Sequence, residues 1–187
     1  MIHQTLHLSL AEYDALVLQG AFDGPGRCVE LIYGEIVEMN PSGPVHDDYV
    51  AYLTSWSARA SDPLLTLVTS QTGIDMPKVD SRPEPDVFWI RQGRYRSGHP
   101  QPADVQLAIE VADSSLTKDL DIKGHLYASV GIPEYWIIDC QNRCVHILRE
   151  PEGSLYKSHR VASSPDTISP LIAPQAILDL HDLFVGL

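Results

Sequence analysis

Two short apolar runs of the chain each carry one carboxylate at an end. Asp86 opens the run 86–90, and Glu110 lies near the close of the run 107–111. Runs of this length that are rich in valine, isoleucine and aromatic residues predict β-strands. Because an unpaired charge is costly in a buried strand, two carboxylates at the ends of neighbouring strands need a cation. Their oxygens are hard ligands, which indicates a pocket for Mg²⁺, with Mn²⁺ as a second candidate.

A basic residue follows these runs on a predicted helix. The pattern from Lys118 to Val130 predicts a helix that ends at Gly131. Asp119, Lys123 and Tyr127 are four residues apart, so they share one face of that helix. An ion pair between Asp119 and Lys123 on the helix surface is one interpretation. The carboxylates upstream favour the other, in which Lys123 supplies a cation to the same pocket.

In this order, the residues resemble the Uma2-type family of endonucleases, once filed as a domain of unknown function and belonging to the PD-(D/E)XK nuclease fold. Pro85-Asp86 matches the first half of that motif. Glu110-Val111-Ala112 matches the second half, with Ala112 where the motif has lysine. The segment from Asp119 to Lys123, followed by Tyr127, matches a variant in which the lysine has moved onto the next helix. The run 126–139, LYASVGIPEYWIID, is the family's most recognisable segment, and the resemblance spans roughly residues 5–183.

The resemblance implies both a fold and an activity. The fold is expected to be α/β, a restriction-endonuclease-like mixed central sheet flanked by helices with additional β-hairpins, in a single domain over residues 1–187. The activity is expected to be Mg²⁺-dependent hydrolysis of phosphodiester bonds in nucleic acid, with DNA as the substrate. Asp86, Glu110 and the carbonyl of Val111 are the expected metal ligands. Lys123 is expected to position the attacking water or to stabilise charge in the transition state.

The resemblance adds two further candidate catalytic residues. Glu30 matches a position that faces the metal pocket, although a carboxylate on an edge strand is an equal interpretation. His46 matches the start of a predicted helix, where the helix dipole is expected to lower the pKa of the imidazole. A histidine with a purely structural role is the alternative there.

The charge of the chain limits the functions that it can have. A net charge of −12 over 187 residues argues against a generic nucleic-acid binder, which usually carries a basic face. It does not exclude a nuclease, because bound Mg²⁺ offsets the carboxylates of an active site. Arg91, Arg94 and Arg96 form a basic cluster that either contacts phosphate or lies in a solvated loop. The acidic balance also leaves open a catalytically inactive nuclease-fold module that binds a partner or acts as a scaffold.

Cysteine content and hydropathy indicate where the protein is located and which kinds of site it lacks. Three cysteines give no disulfide framework. Cys140 and Cys144, with His146 nearby, are too few ligands for a zinc site, so a hairpin with incidental cysteines is expected. No apolar run approaches the roughly 20 residues of a membrane span, and the N-terminus lacks a signal sequence, which predicts a soluble cytoplasmic protein with no membrane partner. If both strands of a duplex are cut, a homodimer is expected from symmetry.

The remaining elements are predicted from capping, turn and periodicity signals. Ser9 and Glu12 form a capping box for a first helix, and Tyr33-Gly34 joins two strands of a hairpin. Further helices are expected at 46–60 and 177–184, and further strands at 64–69, 73–76, 103–111, 134–139, 144–149 and 156–161.

Overall fold

A computed structural model describes residues 6–24, 28–39 and 41–185 of the chain. Its first element is helix α1 (Leu10–Leu18). The predicted capping box is present: the Ser9 hydroxyl accepts a hydrogen bond from the Glu12 N–H, and the Glu12 carboxylate accepts one from the Ser9 N–H at 2.8 Å. This reciprocal pair satisfies two amide groups that the helix itself leaves without partners.

A two-stranded hairpin follows, formed by β1 (Val29–Ile32) and β2 (Glu35–Glu38). Tyr33 and Gly34 connect the strands with φ values of 49° and 76°, the backbone of a type I′ turn. The Tyr33 N–H donates to the Ser81 hydroxyl at 2.7 Å, which ties this left-handed conformation to the rest of the chain. The predicted hairpin is therefore confirmed, with Tyr33 accommodated in the turn.

Six strands form the central mixed sheet, which confirms the predicted fold class. The sheet order follows the chain order, and all neighbours are antiparallel except the fifth and sixth strands of the chain, which are parallel. A parallel pair needs a crossover connection, and helices supply it here. The strands are β3 (Thr66–Thr69), β4 (Val87–Arg91), β5 (Val105–Ala112), β6 (Glu134–Asp139), β7 (Cys144–Glu152) and β8 (Leu155–Ser163).

Helix α2 (Pro44–Ala60) covers one face of the sheet. Its predicted apolar stripe is buried there, and Trp56 lies with its ring centroid 5.6 Å from that of Trp89 and 6.1 Å from that of Trp136. The helix begins two residues earlier than the pattern predicts, because Pro44 occupies the first turn, where a missing N–H costs nothing.

The crossover between β5 and β6 covers the other face. It consists of α3 (Leu116–Lys118), a π-helical turn (Asp119–Lys123) and α4 (Gly124–Ser129). Leu126 and Tyr127 of α4 are fully buried against the sheet. The predicted helix 118–130 is thus present, but its central turn is widened.

Two more predicted elements differ from the structure. Residues 73–76 form no strand; Met76 makes one isolated bridge with Ser81 before a 3₁₀ turn at Pro77–Val79. Near the C-terminus, β9 (Thr167–Ile168) pairs with β10 (Leu178–Asp179), so helix α5 (Leu180–Val185) begins later than predicted. In the described ranges, no helix is both long and apolar enough to cross a membrane.

Candidate active site

The two predicted metal-binding carboxylates lie at one end of adjacent strands. Asp86 immediately precedes β4, which pairs with β5 so that Val87 lies opposite Ile109. The Asp86 carboxylate accepts a hydrogen bond through Oδ2 from the Val111 N–H at 2.7 Å. Asp86 is therefore fixed to the residue that follows Glu110, as the predicted adjacency of the two strands requires.

Glu110 projects toward the crossover helices and is only 4% exposed. Its Oε1 accepts two hydrogen bonds, from Lys123 Nζ at 2.8 Å and from the Tyr127 hydroxyl at 2.9 Å. Both donors contact Oε1, and no hydrogen bond to Oε2 is present among the residues that the structure describes. Oε2 is consequently the oxygen available for a ligand.

Lys123 is buried, with an exposure of 3%, and it contacts two carboxylates. Besides Glu110, its ammonium lies 2.9 Å from Glu30 Oε1. Asp119 instead accepts a short hydrogen bond from the Ser115 hydroxyl. The interpretation of Lys123 as half of a solvent-exposed helix pair is therefore wrong, because the side chain points into the protein.

Glu30 is completely buried, so it is not a solvated carboxylate on an edge strand. Its Oε1 accepts the Glu84 N–H at 2.8 Å, and its Oε2 lies 3.2 Å from Lys118 Nζ. Burial alone would raise the pKa of Glu30, but Lys123, the Glu84 amide and Lys118 outweigh it and hold the pKa below its usual value. Glu30 is thus an ionised anchor for the two lysines.

The π-helical turn sets the position of Lys123. The Gly124 N–H donates to the carbonyl of Asp119, five residues earlier, and the same carbonyl accepts the Tyr135 hydroxyl at 3.2 Å. A π-turn inserts one residue into a helix and is frequent at functional sites. Here it joins α3 to α4 while Lys123 and Tyr127 both reach Glu110.

His46 lies in the first turn of α2, where its Nε2 is 3.2 Å from Asp86 Oδ1. The prediction of a lowered pKa is wrong. The hydrogen bond to Asp86 raises the pKa of His46, and the charges of Asp86 and Asp47 add to the rise, although burial opposes it. The direct contact with the Asp86 carboxylate is the largest cause of the rise.

A family model described as "Uma2: Putative restriction endonuclease" matches residues 10–181. The chain belongs to the Uma2 family. Its fold resembles that of a solved structure from Anabaena variabilis ATCC 29413, described as "a putative nuclease belonging to DUF820". The likeness has a TM-score of 0.73 at 19% identity and covers 95% of this chain and 98% of the other. A search of curated proteins found no match.

In this Uma2 chain, carboxyl groups outnumber ammonium groups around the site. Burial raises the pKa of Glu110 well above its usual range, and Asp86 adds to the rise while Lys123 opposes it. Burial and the charge of Glu30 also raise the pKa of Glu84. Close carboxylates need protons or a metal ion to coexist. The oxygen-rich donor set and its uncompensated negative charge therefore fit a hard divalent cation.

The structure also locates the predicted residues that are not in this cluster. The arginine cluster begins at Arg91, the last residue of β4. At about 3.4 Å per residue, its backbone is roughly 17 Å from that of Asp86. Arg94 and Arg96 line a cavity with Tyr95, and neither Asp86 nor Glu110 is among the residues that line it. The structure therefore does not join the arginine cluster to the carboxylates in one cavity.

Three members of the site were not assigned a role from sequence. Tyr127 had a signal, since it follows Lys123 by four residues on the same helix face. Glu84 also had one, because it alternates with Asp86 along an extended segment. Lys118 had none, since its contact with Glu30 spans 88 residues of sequence.

Proposed function

We propose that this chain is a metal-dependent endonuclease that hydrolyses phosphodiester bonds in DNA, with one such site in a single domain over residues 1–187. The observation that carries the proposal is the convergence of Asp86 and Glu110 at adjacent strand ends, with the buried ammonium of Lys123 on Glu110. Membership of a family described as "Putative restriction endonuclease" supports a nucleic-acid substrate and favours DNA.

Asp86, Glu110 and the carbonyl of Val111 would hold Mg²⁺, or Mn²⁺ in its place. Carboxylate and carbonyl oxygens are the ligands that these ions prefer. A bound divalent ion would polarise a phosphate oxygen and lower the pKa of a bound water. Oε2 of Glu110 is the natural ligand atom, because Lys123 and Tyr127 contact Oε1.

The chain's own residues have separable parts in this proposal. Lys123 holds a fixed positive charge next to Glu110, where negative charge develops on the phosphate oxygens. Glu30 orients that ammonium from the opposite side. His46 orients Asp86 and holds a proton at Nε2, in keeping with its raised pKa.

The test is cleavage of double-stranded DNA, single-stranded DNA and RNA with Mg²⁺ or Mn²⁺ by the parent, Asp86→Asn and Glu110→Gln. Each substitution removes a negative ligand but keeps the side-chain shape. Each should lower metal-dependent cleavage at least roughly 100-fold, more than the loss of an outer-shell partner causes. Asp113→Asn, at an exposed carboxylate three residues after Glu110, is the matched control and should cleave like the parent.

Full activity in either variant, purified in parallel with the parent, would reject the role of that carboxylate. Cleavage of RNA alone would retain the nuclease and reject the DNA substrate. Equal cleavage in EDTA would reject the metal.

The net charge of −12 favours one alternative, a catalytically inactive nuclease-fold module that binds a partner or acts as a scaffold. If the parent protein cleaves none of the substrates under any of these conditions, the inactive module is the better explanation. Thermal stabilisation by Mg²⁺ separates a retained site from a lost one, since a ligand that binds only the folded state raises the melting temperature.

Cleavage of both strands of a duplex with one site per chain favours a two-fold homodimer. Light scattering of the protein alone and with a DNA duplex measures the number of chains. A monomer that makes double-strand breaks at a rate linear in protein concentration would reject the dimer.

A further inference from the structure

A second group of metal-ligating side chains lies on the hairpin of β6 and β7. Asp139 ends β6, Cys144 begins β7, and the two are directly paired across the strands. His146 follows two residues after Cys144, so it projects from the same face of the sheet. One ligand atom from each residue lies within 4.8 Å of the other two. In the described part of the chain, no other three His, Cys, Asp or Glu side chains meet this closely.

Within the group, the nitrogen–oxygen distance is longer than a good hydrogen bond, and the nitrogen–sulfur distance is near the upper limit for one. His146 Nε2 is 3.8 Å from Asp139 Oδ2 and 3.9 Å from Cys144 Sγ. Nitrogen–oxygen hydrogen bonds are about 2.7–3.2 Å long. The three side chains therefore surround a common point without closing onto one another.

Neighbouring residues hold two of the three side chains in place. Asp139 is 2% exposed, and Asn142 donates to it twice, from its backbone N–H at 3.0 Å and from its side-chain amide at 2.7 Å. The other ring nitrogen of His146, Nδ1, lies 3.0 Å from His159 Nε2. A metal-binding histidine ordinarily has such a partner on its second nitrogen, which fixes the ring and its tautomer.

We propose that Asp139, Cys144 and His146 bind a borderline-soft divalent transition-metal ion, with Zn²⁺ as the best fit. Sulfur, imidazole nitrogen and carboxylate oxygen together suit Zn²⁺ and not Mg²⁺. Tetrahedral bonds of about 2.0–2.3 Å place neighbouring ligand atoms about 3.4–3.6 Å apart. The two distances from His146, 3.8 and 3.9 Å, exceed this by a few tenths of an ångström, and the Asp139 and Cys144 ligand atoms lie within 4.8 Å of each other. Binding releases the thiol proton of Cys144 to solvent, and a water completes the fourth position.

This ion acts as a clamp on the turn between β6 and β7. The turn is already joined to the end of β5, because the Cys140 N–H donates to the Ala112 carbonyl at 3.1 Å and the Gln141 amide donates to the Asp113 carbonyl at 2.6 Å. Fixing the turn therefore fixes the segment that directly follows Glu110. The clamp is separate from the carboxylate site in both ligand type and preferred ion.

The experiment titrates Co²⁺, a spectroscopic substitute for Zn²⁺, into the reduced, metal-free protein. A thiolate ligand gives a charge-transfer absorption in the near ultraviolet, and the parent should show it with one ion bound per chain. Zn²⁺ should abolish the absorption by displacement, whereas excess Mg²⁺ should not. Cys144→Ser should lose the absorption. Cys140→Ser is the matched control and should keep it, because Cys140 packs against the opposite face of the sheet.

Two further variants keep the proposal testable if Cys144→Ser does not fold. His146→Gln should weaken binding by more than the roughly 10–100-fold expected for loss of an outer-shell partner, and His159→Gln should weaken it within that range. Absence of the thiolate absorption in the parent, or equal affinities in the Cys144→Ser and Cys140→Ser variants, would overturn the site. So would an affinity that His146→Gln leaves unchanged.

Discussion

Replacing Lys123 with methionine tests the central electrostatic contact of the carboxylate site. Methionine keeps most of the apolar stem and removes the ammonium, which lies 2.8 Å from Glu110 Oε1 and 2.9 Å from Glu30 Oε1. Loss of one partner of a buried ion pair costs about 3–5 kcal/mol, because a charge is left uncompensated. We expect the free energy of unfolding of Lys123→Met to fall by about that amount at pH 7.

Urea unfolding followed by tryptophan fluorescence measures this change, since all three tryptophans are buried in the core. With a slope of about 2.5 kcal/mol/M, the midpoint should fall by roughly 1–2 M. Lys118→Met is the matched control. Its side chain is 30% exposed and its ion pair with Glu30 is longer, at 3.2 Å, so its loss should cost at most about 1 kcal/mol.

The pH dependence of the difference follows from the two carboxylates. The lowered pKa of Glu30 contributes stability above its unfolded value of about 4.3, and this is lost as the pH falls through the folded pKa. Glu110 affects stability in the opposite direction. Because its pKa is raised in the folded state, it lowers the free energy of unfolding at pH values above its unfolded-state pKa. Removing Lys123 worsens both effects, so the destabilisation should be largest at neutral pH and shrink below about pH 4. A loss equal to that of Lys118→Met, or one that is the same at pH 7 as at about pH 3, would refute the reasoning.

Two further substitutions test the residues that contact Glu110 and Asp86. Tyr127→Phe removes a donor to Glu110 while keeping the ring, so it should cost about 1.5–3 kcal/mol in urea unfolding; a cost under about 0.5 kcal/mol would contradict the contact. The raised pKa of His46 contributes stability that is fully present below the unfolded value of about 6.5 and is lost as the pH rises through the folded pKa. The melting temperature of the parent should therefore exceed that of His46→Gln most at mildly acidic pH, and a gap that grows toward alkaline pH would contradict the pairing with Asp86.

The sequence predicted the carboxylate pair because its signals are local. Asp86 and Glu110 each stand at the end of an apolar run, and runs of that length and composition form strands. That the two strands are neighbours was expected from the order of the elements and from the family resemblance. The same local information placed Lys123 and Tyr127 on one helix face. It did not distinguish a regular helix from the π-turn, because a spacing of four residues suits both.

What the sequence missed depends on contacts between distant segments. The raised pKa of His46 follows chiefly from Asp86, forty residues later, which no local pattern could show. The adjacent Asp47 adds to the rise and was visible in the sequence, but the prediction weighed only the helix dipole. The burial of Glu30 depends on packing between the β1–β2 hairpin and the crossover helices. Asp139 is different, because a four-residue turn places it opposite Cys144. The register of the predicted hairpin could have found this third ligand.

Under the proposed function, Lys123 on the crossover helix would take the part of the lysine that the motif has at the position of Ala112. Ala112 projects from the same face of β5 as Glu110 and is 1% exposed within the core, where a lysine side chain would have no room to enter without displacing its neighbours. Lys123 reaches the same carboxylate from the crossover helix instead. On this side the Lys123 ammonium is buried next to the β1–β2 hairpin. A second anion is needed there to offset the cost of removing the ammonium from water. Glu30 provides that anion, with its own ionised form held by the Glu84 amide and by Lys118. Glu30 and Lys123 therefore act as one unit, because loss of either would leave the other as a buried charge without its partner.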